Sequence, residues 1–177
     1  QARGKWPGAD NGNVKVHQNR MGVFGGWHHT RDGQQRSSEA IQKRVRDECR
    51  FLAFLQRQVL ADLVEYVRQE CGFRGLVVAG NWKAADDSTT LGIERWTYTV
   101  GDVIDKHGYF SGTHAGDAHA WSVRQGHHFT DRSALMHPTQ APVAYAQIAD
   151  YPHIMSEVAW SKPNRLNAAA PLLLASY

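Results

Sequence analysis

Cysteine is scarce in this chain: Cys49 and Cys71 are the only two among 177 residues. Two cysteines do not make a disulfide framework. They also fall at the ends of a stretch with a strong helical pattern. A continuous helix between them would hold them roughly 33 Å apart, well beyond the roughly 7 Å reach of a disulfide. Both are therefore read as small buried apolar residues, and neither decides a redox compartment. Long apolar runs are missing as well. The longest, from Ala168 to Ala175, is broken by Pro171 and falls far short of the roughly 20 residues of a membrane span. Nor is there an excess of one charge: 20 Lys and Arg against 17 Asp and Glu leave +3. That imbalance is too weak to argue for a nucleic-acid partner. There is no internal repeat, no His-Glu-x-x-His spacing and no signal-peptide pattern.

What remains is an ordinary globular composition, with 42% apolar and 21% charged residues. Six Trp, six Tyr and six Phe give ample surface to bury, which excludes a generally disordered chain. Residues 1–36 are rich in Gly, Asn, Gln and His and are expected to be irregular, with Arg20 to Phe24 as their only apolar nucleus. A long helix follows. Ser37 and Ser38 can cap it, Glu39 suits its first turn, and Gly72 is placed to stop it. Ile41, Val45, Cys49, Leu52, Leu55, Val59, Leu63 and Val67 recur at steps of three and four, forming one apolar stripe.

Beyond it, apolar runs alternate with helical patterns. Gly75 to Gly80 reads as a strand buried on both faces, ending in Asn81-Trp82-Lys83. A helix is expected near Thr89 to Tyr98, with Asp86-Asp87 at its N-cap. Asp102 to His107 reads as a second strand, ending in Gly108-Tyr109-Phe110. A polar loop from Ser111 to about Ala134 carries four histidines. A weak helix near Pro142 to Ile148 precedes a third strand, Pro152 to Val158, and a last helix covers Arg165 to Ser176. Strands alternating with helices, without hairpins, predict parallel βαβ units.

The chemistry gathers at the C-terminal ends of these strands, where parallel α/β folds build their sites. Asn81 and Trp82, His107 and Tyr109, and Glu157 and Trp160 all fall there. Period two puts Asp105, His107 and Tyr109 on one face, and Met155, Glu157 and Ala159 on another. Aromatic rings stack on sugar C–H faces, Asn and His bond hydroxyls, and a carboxylate can attack an anomeric carbon. The histidine set (His114, Asp117, His119, His127 and His128) lacks tight metal-ligand spacing, so no metal and no cofactor is expected.

The segment Tyr151-Pro152-His153-Ile154-Met155-Ser156-Glu157-Val158-Ala159-Trp160 resembles the seventh strand of clan A (β/α)8 glycoside hydrolases, the group of cellulases and β-galactosidases. There an apolar strand delivers a Glu nucleophile. His107-Gly108-Tyr109 is similar to that clan's sixth-strand end, where a His-x-Tyr pair supports the nucleophile. The resemblance covers about Arg46 to Tyr177. It implies a partial TIM barrel of about three βα units after a long helix, with residues 37–177 as the C-terminal part of a catalytic domain. It further implies retaining hydrolysis, with Glu157, Tyr109 and His107 catalytic and Asn81, Trp82 and Trp160 contacting a carbohydrate substrate. The clan's acid/base Glu follows an Asn, and no Asn-Glu pair occurs in this sequence. That carboxyl and the rest of the barrel are therefore expected outside the chain, which is read as a piece of a bacterial enzyme. An extracellular or periplasmic location fits this reading. Two rivals remain: a non-catalytic carbohydrate-binding remnant of the same fold, and another hydrolase or metal enzyme using the histidine loop.

Overall fold

The computed structural model describes residues 22–81, 84–86, 88–117, 122–143, 147–160 and 163–176. Its architecture is mixed α/β, with one long helix and a small parallel sheet. The chain divides into two compact units between Val103 and Ile104.

In the first unit, a 3-10 turn at Gly26–His29 leads into helix α1 (Arg31–Arg36) and then α2 (Glu39–Gln69). The expected irregularity of residues 1–36 is thus corrected over 26–36, where local capping orders the chain. Thr30 Oγ1 accepts the Gly33 N–H at 3.1 Å. Any side chain at Gly33 would lie 2.0 Å from the Trp27 carbonyl oxygen, so only glycine permits this approach. Helix α2 runs for 31 residues, about 46 Å. Ser38 caps it through the Ile41 N–H, and Gly72 lies just past its end with φ 65°. Its N-terminal half is packed: Val45 and Phe24 are buried together, flanked by Ile41 and Cys49. Farther along, the apolar stripe is open, with Leu55, Val59 and Leu63 all about half exposed. Cys49 is half-buried and Cys71 is exposed, and both are free thiols. The reading of both as buried therefore fails for Cys71, which lies past the end of the helix.

Helix α3 (Leu91–Tyr98) packs on α2. Arg57 of α2 lies 4.5 Å over the Trp96 ring and donates to the Trp96 carbonyl at 2.7 Å. The N-cap of α3 is Thr90. Asp86 instead organises the preceding turn, accepting from Ser88 N at 3.0 Å and Ser88 Oγ at 2.6 Å. Those bonds hold its carboxyl below the usual range; Asp87 lies outside the described residues. The run 75–80 does not form a strand. It makes one isolated parallel bridge, Val78 to Val103, and Leu76 is 73% exposed. The Asp102 carboxylate holds the segment through Val77 N at 2.7 Å and also pairs with Arg68.

In the second unit, β1 (Ile104–Phe110) and β4 (His153–Trp160) form a parallel pair. Between them a short antiparallel hairpin joins β2 (His114–Ala115) to β3 (His128–Phe129), which corrects the expectation of a loop without hairpins. Of the weak helix expected near Pro142 to Ile148, residues 144–146 lie outside the described residues. The expected last helix is divided: a 3-10 segment covers Arg165–Ala169, and α4 covers Ala170–Ala175. Pro171 has no N–H to donate, so it is accepted only in a first turn, and the α-helix starts beside it. The core gathers Phe110, Ala134 and Trp160, with Leu173 and Leu174 of α4 against them. Two strands pair in this sheet where three were expected, because the 75–80 run contributes only its single bridge.

Candidate functional site

The pairing of β1 with β4 places His107 directly opposite Glu157 and Tyr109 opposite Ala159. Register explains how they meet. Asp105 pairs with Ile154 and His107 with Glu157, so two steps along β1 match three along β4. The extra residue is a β-bulge. It interrupts the alternation of β4, and Ser156 and Glu157 are exposed one after the other. The bulge therefore breaks the face that strict period two gave to Met155 and Glu157.

Asp105 fixes the bulge. It is buried, and its carboxylate accepts from Ser156 N at 2.9 Å and from Ser156 Oγ at 2.5 Å. A carboxylate at this depth needs such partners to offset its lost hydration. With its own proton directed at Asp105, the Ser156 oxygen can accept from His107 Nε2, 3.2 Å away. On its other side, His107 Nδ1 lies 3.3 Å from Glu157 Oε2. The Tyr109 hydroxyl donates to Glu157 Oε1.

Each Glu157 oxygen is thus addressed by a different side chain of the neighbouring strand. The Glu157 side chain is 55% exposed and that of His107 only 14%, so a carboxylate facing solvent stands beside a half-buried imidazole, which attracts it only with protons on both ring nitrogens. The hydrogen bond to Glu157 pushes the Tyr109 phenol above its usual pKa, because losing the proton would set two anions side by side. Chemically, the arrangement offers an oriented, accessible carboxylate at the C-terminal edge of a parallel strand pair, suited to nucleophilic or acid/base work.

Of the other expected site residues, one is taken up by the core. Trp160 is buried against Phe110, with ring centroids 5.9 Å apart. Its faces are spent on the core, although its indole N–H has no hydrogen-bond partner among the described residues. Asn81 is exposed in the first unit, and Trp82 lies outside the described residues. Among the histidine set, His114 Nε2 meets His127 Nδ1 at 2.9 Å. His127 Nε2 reaches the Asp117 carbonyl at 2.9 Å, and His114 stacks on Phe129 with centroids 4.3 Å apart. These rings brace the hairpin. His119 lies outside the described residues, and no group of three metal-ligating side chains converges among the described ones. Ser156 is the member that sequence reasoning missed. No periodic signal marked it: His153–Trp160 carries Ile154-Met155 and Val158-Ala159-Trp160 as consecutive apolar residues, so the pair Ser156-Glu157 interrupts no alternation that could be read. Comparison with protein-family models, with curated proteins and with solved structures finds no match for this chain.

Proposed function

We propose that Glu157, Tyr109 and His107 form the nucleophile half of a retaining glycoside hydrolase, in a (β/α)8 barrel of which β1 and β4 are neighbouring strands. The observation that carries this reading is the contact of Glu157 with both Tyr109 and His107 across adjacent parallel strands. A nucleophilic carboxylate needs that kind of aim, and the His-x-Tyr spacing on β1 supplies it. Glu157 attacks the anomeric carbon, the glycosidic C–O bond breaks, and a glycosyl ester forms on the carboxylate. A second carboxyl from outside these residues protonates the leaving oxygen and then activates water. Retention requires it about 5–5.5 Å from Glu157. The roles of Asn81 and Trp82 as sugar contacts rest on the sequence alone, and Trp160 is left to the core.

Activated fluoro-sugars test the nucleophile by itself. In these probes fluorine replaces the hydroxyl next to the anomeric carbon, and the dinitrophenolate leaving group needs no acid. A panel of gluco, galacto and manno probes is expected to leave a glycosyl mass on the peptide containing Glu157, and Glu157→Gln to abolish it. An adduct that survives Glu157→Gln refutes the assignment. Sugar binding without any adduct favours the non-catalytic carbohydrate-binding reading.

A further inference from the structure

The first unit holds a second cluster of reactive groups that the glycosidase reading does not use. The His29 ring lies between two residues of α2. Its Nδ1 is 3.1 Å from Cys49 Sγ, and its Nε2 is 3.3 Å from Glu48 Oε1. Glu48 is buried, a place where glutamate is rare without a task or a partner. The same Oε1 accepts the Phe24 N–H at 2.8 Å, and Arg44 stands 3.8 Å from Oε2. The cluster opens on a cavity of about 500 Å³ whose wall includes His29, Cys49, Leu52, Gln56 and Ile93.

We propose that Cys49, His29 and Glu48 form a thiol acyl-transfer site, with Cys49 as nucleophile, His29 as general base and Glu48 as positioning residue. The geometry has the order such chemistry requires: nucleophile to base, base to orienting carboxylate, each near hydrogen-bond reach. A carboxylate at Nε2 favours the tautomer with its proton there, which leaves the Nδ1 lone pair directed at the thiol. Burial and the Glu48 carboxylate push the Cys49 thiol above its usual pKa. The thiol therefore rests protonated and depends on a base at the moment of attack.

In the reaction, the Cys49 proton passes to His29 Nδ1 as the S–C bond forms on an ester carbonyl. The acyl C–O bond breaks, the proton leaves with the alcohol oxygen, and a thioester remains on Cys49. Water, deprotonated by Nδ1, then releases the carboxylic acid and restores the thiol. The described wall carries Asp86 and Glu94 but no lysine or arginine. Its apolar members Leu52, Ala53 and Ile93, beside Cys49, suit an uncharged ester with a small apolar acyl group.

The probe is p-nitrophenyl acetate, added to the full chain carrying Cys71→Ser so that one thiol remains. The expected result is a burst of one nitrophenolate per chain and an acetyl mass on the Cys49 peptide. His29→Gln is expected to slow acylation by about 100-fold or more, the scale of a lost general base. Glu48→Gln, which keeps the packing, is expected to slow it at unchanged circular dichroism. Adding Cys49→Ser to that Cys71→Ser chain is expected to abolish the burst. A burst that persists in Cys49→Ser, acetylation confined to lysines, or a His29→Gln rate equal to the parent's would each overturn the proposal.

Discussion

Removing the Asp105 carboxylate tests how the bulge, and with it Glu157, is held. Asp105 is 3% exposed, and both hydrogen bonds it accepts come from Ser156. Hydrogen bonds to a charged group contribute about 1.5–3 kcal/mol each. Ser156 is exposed at the surface, so its hydroxyl regains water when the carboxylate goes, and that bond counts at the low end. The Ser156 N–H lies in the strand pairing and has poorer access to water, so it counts nearer the middle. Asp105→Ala is then expected to cost about 3–4 kcal/mol, a large share of the roughly 5–15 kcal/mol that stabilises a domain. Asp105→Asn keeps an oxygen for the Ser156 N–H, and the hydroxyl can turn to accept from the new amide, so about 1 kcal/mol is expected. Ser156→Ala removes the hydroxyl's bond to the buried Asp105 carboxylate together with its contact to His107, and should cost about 1.5–3 kcal/mol. Urea denaturation gives the totals. Hydrogen exchange at the Ser156 amide reads the bond itself, and should accelerate far more in Asp105→Ala than in Asp105→Asn. An Asp105→Ala chain within about 0.5 kcal/mol of the parent, or one no worse than Asp105→Asn, refutes the reasoning.

Three further outcomes follow from packing and charge. A methyl at Gly108 would lie 2.4 Å from Pro142 Cβ and 3.4 Å from Met155 Cε, so Gly108→Ala should destabilise by about 1–3 kcal/mol in thermal or urea melts. The Tyr109 phenol titrates above its usual value because of Glu157. The stabilisation linked to that shift is complete below the ordinary tyrosine pKa of about 10 and is lost as pH rises through the raised value. Glu157→Gln should bring the phenolate absorbance transition back toward the ordinary pKa, and an unmoved transition would show that Glu157 is not its partner. On α2, Val45→Ala should cost about 1.5–3 kcal/mol, since Val45 is 2% exposed, whereas Leu63→Gln, at 56% exposed, should stay within about 0.5 kcal/mol.

Local signals were legible, and among long-range ones the β1–β4 pairing was. The span of α2 could be read from Ser38, Glu39, Gly72 and the steps between Ile41 and Val67, because caps and periodicity act within one turn of the chain. Strands β1 and β4 and their parallel pairing were likewise readable, as was the approach of Tyr109 to Glu157. The run 75–80 misled, because an apolar hexapeptide reads the same whether or not a neighbour pairs with it. Only Val78 finds a bridge, and Leu76 stays in solvent. The hairpin joining His114–Ala115 to His128–Phe129 was missed because its strands are two residues each, too short to show a period.

Trp160 and Glu157 show why a site is harder to read than a strand. They lie three residues apart on β4, and the sequence offers both as polar or aromatic groups at the same strand end. Their odd spacing puts them on opposite faces of β4, and the bulge at Ser156 decides which face is which: Glu157 is turned outward, while Trp160 is buried against Phe110. That bulge exists because Asp105, 51 positions away, takes both donors of Ser156. A one-residue change of register exchanges the faces of a strand. The identity of the exposed carboxylate is therefore decided by a pairing on the adjacent strand, and no pattern within His153–Trp160 alone can supply it. The same holds for the His29 contact with Cys49: 20 positions separate two side chains that meet at 3.1 Å, and only the packing of the segment around Phe24 onto Val45 brings them together.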